Sequence, residues 1–572
     1  MMRTSRRSLL RAAGAAGLGA LGVSLLAACR PNPGSTQAPG QASGGASPTV
    51  VPGAPITTAP INTHSLTGAG SGGTLRIGMT ASNVPIPDTP TTEGGEGSRF
   101  VGTQIYEGLT RYNTNQSETS VYPVPGMAES WSLADDQVTW TFKLRQGQKY
   151  HDGTPFNADS VKFGLDRVFD KNFEYYNPTL AAAVVRQLSG IGSYTPLDDS
   201  TFQIVTNRPY AFLLWDLQGL YLPSPTAVKT YGPDYVQHAA GTGPFRMTKY
   251  VDGQVMELEP NDGYWQGKPK LDKLVLSPMP EPASRLAGLQ AGDIDWAEVP
   301  PPDAVAGLKA DGFQVMTGPY PHVITYQMNM YKPPLNDVRV RQALNYAVDR
   351  DATIAVISGF GIPAHQYIHK GHPYYDDNWE GYSYDLDRAR SLLADAGYAR
   401  GFKLRMVYPP SGSGNMWPGP MNERLKADFA AVGVDVELIP IEWNNIMSAN
   451  RAGLGSPDWQ GYDMIHISTS LSTPVSARTF TTSGLPPAGC CNPSGYSNPV
   501  VDAAFADAER TFDQDQQNAL IRKTQSTAMQ DGFAVVTVHD LNLRVLSSTI
   551  RNFVEPQAWT VDLYNVYMDQ GG

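Results

Sequence analysis

The chain has 572 residues, too many for one hydrophobic core, so two or more structural units are expected. Net charge is −11, and without the first 28 residues, which hold four arginines and no acid, 39 basic residues face 54 acidic ones, a net of −15. A field of that sign repels phosphate backbones and argues against a nucleic-acid partner. Three cysteines, Cys29 and the adjacent Cys490 and Cys491, supply neither a disulfide framework nor the spaced ligands of a zinc site.

The N-terminus reads as an address. Ser5-Arg6-Arg7-Ser8-Leu9-Leu10-Arg11 has the form of a twin-arginine export signal, and the uncharged run Ala12 to Ala28 is short for a membrane span. It ends in Leu26-Ala27-Ala28-Cys29, which resembles a bacterial lipobox. Residues 1–28 are therefore expected to be removed and Cys29 to carry a lipid, an anchor that needs no spanning helix. Residues 29–71 are rich in Pro, Gly, Ser, Thr and Ala, and Arg30 is their only charge; they are expected to form a disordered tether.

Order is expected from Gly72, with an alternating strand to Met79. A helical stretch follows around Arg99 to Leu109, then a strand over 138–145. Asn157 can cap a helix running to about Phe169. Asn336 or Asp337 can cap a helix bearing Val340, Leu344 and Val348. Asp385 can cap another that stops at Gly397. Leu404 to Tyr408 reads as a strand, Asn422 to Ala431 as a helix ended by Gly433, and Val434 to Ile439 as a strand. Gln516 to Gln530 reads as a helix and Ala534 to Val538 as a strand. The mixture predicts an α/β body without internal repeats.

Specific motifs begin at residue 128. Ala128-Glu129-Ser130-Trp131, Trp140-Thr141-Phe142-Lys143-Leu144-Arg145-Gln146-Gly147 and His151-Asp152-Gly153-Thr154-Pro155-Phe156 follow one another within about 40 residues. Gly241-Thr242-Gly243-Pro244-Phe245, Asn261-Asp262-Gly263-Tyr264-Trp265, Leu289 to Asp295, Pro334-Leu335-Asn336-Asp337-Val338-Arg339 and Tyr496-Ser497-Asn498-Pro499 come later. Together they resemble the family 5 extracytoplasmic solute-binding proteins, the oligopeptide, dipeptide and nickel receptors of ABC importers. The likeness covers about residues 72–570. His151 beside its turn reads as a framework residue.

The resemblance implies a two-lobed periplasmic-binding-protein-like fold, class II and of the large cluster C type. The first lobe would span 72–322 plus 541–572, with an extra subdomain at about 120–239, and the second 323–540. Val323 to Met328 and Ala534 to Val538 would be hinge strands, and closure over a ligand would deliver it to permease subunits. No cofactor and no metal are expected, and the receptor is expected to be a monomer.

Peptide-binding relatives hold the ligand's ammonium with an Asp in a segment like W-x-A-D-Y-x-x-P. Aligned on Tyr462-Asp463-Met464, that Asp falls at Ser472 and the Trp near Thr469. A neutral hydroxyl cannot serve as counter-charge to a buried ammonium. The hydroxyls of Ser468, Thr469, Ser470 and Ser472 suit an oligosaccharide instead, with Trp443 as an aromatic platform; Asn83 and Tyr326 complete the expected ligand-binding set. A peptide is the alternative. His365, His369 and His372 lack an H-E-x-x-H pattern, and Pro363 and Pro373 bracket them, so they read as a surface loop. No G-x-S-x-G, H-E-x-x-H or S-x-x-K motif stands in a supporting context for a hydrolase. A sensor presenting its ligand to a receptor kinase would show the same binding residues.

Overall fold

Alternating segments of strand and helix assemble into two sheet-centred lobes. The computed structural model describes residues 70–569 except 91–94, 115–121, 186, 413, 487, 488 and 490. The export signal, Cys29, most of the expected tether and Cys490 lie outside the described residues. No helix among the described residues is long and apolar enough to cross a membrane.

The first lobe is built on seven strands in the order Gln314–Met316, Arg544–Leu546, Trp296–Glu298, Thr74–Met79, Lys273–Pro278, Val255–Pro260 and Phe245–Val251. Thr74–Met79 lies at the centre, parallel to both neighbours, with Ile77 opposite Leu276 and Trp296. Its buried face packs with Phe100, Leu258 and Leu563. The second lobe has six strands: Gly361–Pro363, Ala534–Asp540, His322–Met328, Met464–Ser470, Phe402–Tyr408 and Val434–Pro440. Two of its inner strands, Ala534–Asp540 and His322–Met328, are buried at every position, as a sheet covered on both faces requires. A separate four-stranded sheet, Ala128–Leu133, Thr139–Leu144, Thr201–Thr206 and Ile191–Asp198, carries the Trp131 and Trp140 motifs into a core that is continuous with second-lobe residues such as Phe505 and Phe533.

Helix termini follow the capping chemistry read from the chain. Asn157, Asp337 and Asp385 each accept a backbone N–H at the start of a helix, and Asp513, which the sequence reading did not name, does the same for Gln514–Gln530. The helix expected from Asn422 begins earlier, at Pro418, because proline needs no donor at the first helical position. The stretch expected from Arg99 to Leu109 is helical only to Ile105.

The four-stranded unit also reaches the second lobe. Phe212 packs on Phe505 at 5.7 Å between ring centroids, Trp140 on Phe512 at 6.2 Å, and the Ala211 N–H donates to the Glu509 carbonyl at 2.6 Å.

The main chain passes between the two large sheets after Met316 and after Asp540. Val323 to Met328 and Ala534 to Val538 run inside the second sheet, so the crossings are the short segments 317–321 and 541–543. These are tied to each other by Gly318 N–H donating to Leu541 O at 2.9 Å, and Tyr320 Oη donates to Asp540 at 2.8 Å. Beneath them Glu298 bridges two buried guanidiniums, Arg99 and Arg544, and Arg544 also holds Glu555.

Candidate functional site

The family-like motifs meet each other away from the cleft, as structural joints. The His151 ring sits against the Gly241–Gly243 turn, with Nδ1 accepting from Gly241 N–H at 3.3 Å and Nε2 3.0 Å from Gly243 O. A side chain at Gly241 or Gly243 would strike the Ile105 carbonyl, so glycine is required by close approach. Burial pushes His151 down to about 4, which keeps it neutral.

Between the lobes lies a cavity of about 310 Å³. Ser468, Thr469 and Ser470 reach it from the strand Met464–Ser470, and Trp443 reaches it from the first turn of the helix Trp443–Ala452. Glu442 caps that helix, accepting from Asn444 N–H at 2.7 Å, and so fixes the indole's place. Tyr367 Oη donates to Thr469 Oγ1 at 2.6 Å. Trp559 closes the wall from the first lobe. Its ring lies 4.8 Å from His322, and the Arg99 guanidinium stacks at 4.4 Å. No Asp, Glu, Lys or Arg is among the described residues lining this cavity. Trp443 Nε1, Trp559 Nε1 and Ser470 Oγ are buried there without a hydrogen-bond partner.

A smaller cavity of about 190 Å³ shares Trp443 as a wall and is lined also by Asn83, Gly412 and Glu442. Thus Trp443, Ser468, Thr469 and Ser470 are brought together, and Asn83 stands next door. Tyr326 is elsewhere: it is wholly buried with Ile324 and Met328 on the core face of its strand, against His466 at 4.9 Å. Ser472 follows the strand's end, half-buried, and is not among the described lining residues.

Sequence reasoning missed Trp559, Tyr367 and His322. Tyr367 was hidden because its segment reads as a surface loop, and the structure overturns that reading. His369 and His372 are 5% and 3% exposed, packed with His539 at 6.0 Å from His369. Burial pushes all three imidazoles down, His539 to about 3. No group of three His, Cys, Asp or Glu among the described residues is arranged to hold a metal ion. Cys491 is disulfide-bonded and adopts a φ of 86° at the cavity wall.

Two sheet-centred lobes, tied by two crossings around a shared cavity, define a two-lobed binding protein. Residues 122–485 match the bacterial extracellular solute-binding proteins, family 5. Heme-binding protein A of Haemophilus influenzae is 29% identical over 491 residues, covering 82% of this chain and 87% of that protein. The dipeptide-binding protein of Escherichia coli is 32% identical over 371 residues, covering 61% and 68%. Among solved structures, the periplasmic binding protein DppA of Helicobacter pylori, in complex with peptide STSA, superposes with a TM-score of 0.74 at 24% identity. That match covers 87% of this chain and 99% of the other. The chain belongs to family 5 of the bacterial extracellular solute-binding proteins, the binding proteins of ABC importers.

Proposed function

We propose that this chain is a lipid-anchored receptor that closes its lobes over a neutral, hydroxyl-rich solute, an oligosaccharide, and hands it to ABC permease subunits. One observation carries the ligand class: the described lining of the central cavity combines indole and phenol rings with Ser and Thr hydroxyls and has no Asp, Glu, Lys or Arg. Aromatic faces suit the C–H faces of sugar rings, and the unpartnered indole N–H groups suit their oxygens. A peptide ammonium buried in the central cavity would meet no carboxylate among its described lining residues, which is costly; Glu442 lines the smaller cavity beside it.

The anchor is Cys29, with residues 29–71 as the tether above the membrane. The moving bodies are 72–322 plus 541–572, with the subdomain at about 120–239, against 323–540. The receptor acts as a monomer. A partnership with a receptor kinase would use the same cavity, and hydrolysis of a bound glycan would show as product release.

The test is a thermal-shift screen of the protein against oligosaccharides, short peptides and divalent metals, since a ligand that binds the folded state raises the melting temperature by mass action. A rise with sugars alone supports the reading. A rise with peptides alone overturns it and favours the second reading, for which the similarity to the dipeptide-binding protein of E. coli is the supporting observation.

A further inference from the structure

The first lobe has a cavity of its own, apart from the cleft. It measures about 50 Å³, and none of its described lining residues comes from 323–540. At about 10–15 Å³ for each water, it has room for three or four waters, or for one small ion with water beside it. Its wall carries the charged side chains of Glu107, Arg111 and Asp562 and the neutral polar ones of Gln104, Gln218 and Thr560. We propose that this cavity binds a small monovalent cation, of the alkali or ammonium class, held by side-chain oxygens.

Gln104, Gln218 and Thr560 are 1%, 4% and 4% exposed, yet Gln104 Oε1, Gln218 Oε1 and Thr560 Oγ1 have no hydrogen-bond partner. Turning the amides round would not satisfy them. Gln104 Nε2 donates to the Arg99 and Val561 carbonyls at 3.1 and 3.2 Å, and Gln218 Nε2 donates to the Arg111 carbonyl at 3.1 Å. Each amide nitrogen already faces backbone acceptors, so each oxygen is the free end. Asp562 is set in the same way. Its Oδ1 accepts from the Tyr564 N–H at 2.8 Å, while Oδ2 is buried without a hydrogen bond, 3.7 Å from Arg111. Buried acceptors left unpaired cost free energy that a cation among them would recover.

Donors in the wall do not balance these oxygens. With the Gln266 amide oxygen turned toward it, Arg111 places both Nη1 and Nη2 at 3.2 Å from that oxygen, and only its Nε is left unpartnered. Three free carbonyl and carboxylate oxygens thus face one free N–H, and the Thr560 hydroxyl serves either way.

Charge points the same way. Glu107 and Asp562 against Arg111 leave one negative charge when both carboxyls are ionised. Arg145, stacked on Trp265 at 3.6 Å, lies outside the described lining and is faced by Glu129 as well as Glu107. Glu107 accepts from Tyr264 Oη at 3.2 Å and from Trp265 Nε1 at 2.7 Å. Burial nevertheless pushes it up to about 7, as in a carboxyl short of counter-charge. A monovalent cation closes the balance. A calcium ion would overshoot it and takes six or more oxygens. Amide and carboxylate oxygens with no imidazole or sulfur among the described lining also disfavour a transition metal.

The experiment is thermal melting of the full chain in detergent at pH 8, where Glu107 is ionised, and at constant ionic strength. Sodium, potassium or ammonium chloride replaces choline chloride stepwise, choline being too large for the cavity. At least one small cation is expected to raise the melting temperature saturably, by about 2–3 °C at a hundredfold excess over its Kd. Asp562→Asn removes the charge and keeps an acceptor for the Tyr564 N–H; it is expected to abolish the rise. Thr560→Val keeps the shape and removes only an oxygen without a partner. Its melting temperature in choline is expected to match or exceed that of the wild type, and the same rise should need at least tenfold more cation. If Asp562→Asn melts markedly lower in choline, Thr560→Val decides. Equal melting temperatures in all four salts leave the cavity to water and overturn the site. A rise undiminished in the deciding variant is a general salt effect and overturns it too. Both results stand apart from whatever ligand the cleft takes.

Discussion

The cavity wall and the crossing beneath it are neighbours that share a residue, Arg99, yet they handle charge in opposite ways. Under the crossing, Glu298 lies between Arg99 and Arg544, and Glu555 lies on Arg544, all of them buried. Burial opposes the charge on Glu298, but the Arg99 and Arg544 guanidiniums hold its carboxyl below the usual range. Behind the cavity, Arg99 stacks on Trp559 and donates from Nε to the Trp559 carbonyl at 2.7 Å, while the described cavity lining holds no Asp, Glu, Lys or Arg. The difference separates two tasks. Fixed ionic pairs set the geometry of the joint, while the cavity keeps neutral groups whose hydrogen bonds are still to be made.

The strongest way to break this contrast is to remove the shared carboxylate. Glu298→Ala leaves two buried guanidiniums short of a partner and is expected to cost about 3–5 kcal/mol in urea unfolding. A loss under about 1 kcal/mol would mean that the network is not structural.

On the cavity side, Trp443→Ala is expected to weaken the responding ligand by about 2 kcal/mol, roughly thirtyfold, in titration calorimetry. Its melting temperature without ligand should stay within a few degrees, because the indole is only half-buried. Unchanged affinity would remove Trp443 from the site.

Acid sharpens the comparison further, because the histidine cluster behind the cavity is neutral. Burial puts His539 at about 3, against about 6.5 in the unfolded chain, so the unfolded state takes up the proton first. Its contribution is complete above pH 6.5 and is lost as pH falls toward 3. Between pH 7 and pH 5 the wild type is expected to lose about 2 kcal/mol more stability than His539→Leu, read from urea midpoints at each pH. Parallel losses in the two proteins would sink the assignment. The smallest effect is expected at the exposed Arg246–Glu259 pair, 2.7 Å apart. Removing it by Arg246→Ser should change stability by less than about 1 kcal/mol, through the same urea measurement.

Much of this architecture was legible in the chain. The caps Asn157, Asp337 and Asp385 act locally, so their helices could be placed from sequence alone. Trp443, Ser468, Thr469 and Ser470 were pointed to by the family resemblance, and the fold brings them to one cavity from a helix start and a strand end. Tyr326 misled, since a tyrosine in a strand buried on both faces gives no sign of which face is the core. Trp559 could not be foreseen: it reaches the cavity from a segment that follows the whole second lobe, and its role exists only through long-range packing with His322 and Arg99. The histidine loop misled for a related reason, its prolines marking irregular backbone correctly but saying nothing of burial.

The strand Arg544–Leu546 lies between Trp296–Glu298 and Gln314–Met316, in the middle of one half of the first sheet. Both neighbours precede it by more than two hundred residues of chain. As the protein is synthesised, the first lobe must therefore wait with an open slot while the second lobe is made. Its exposed edges are a template for wrong pairing during that interval. The returning strand completes the slot, so the lobe that begins first is finished last.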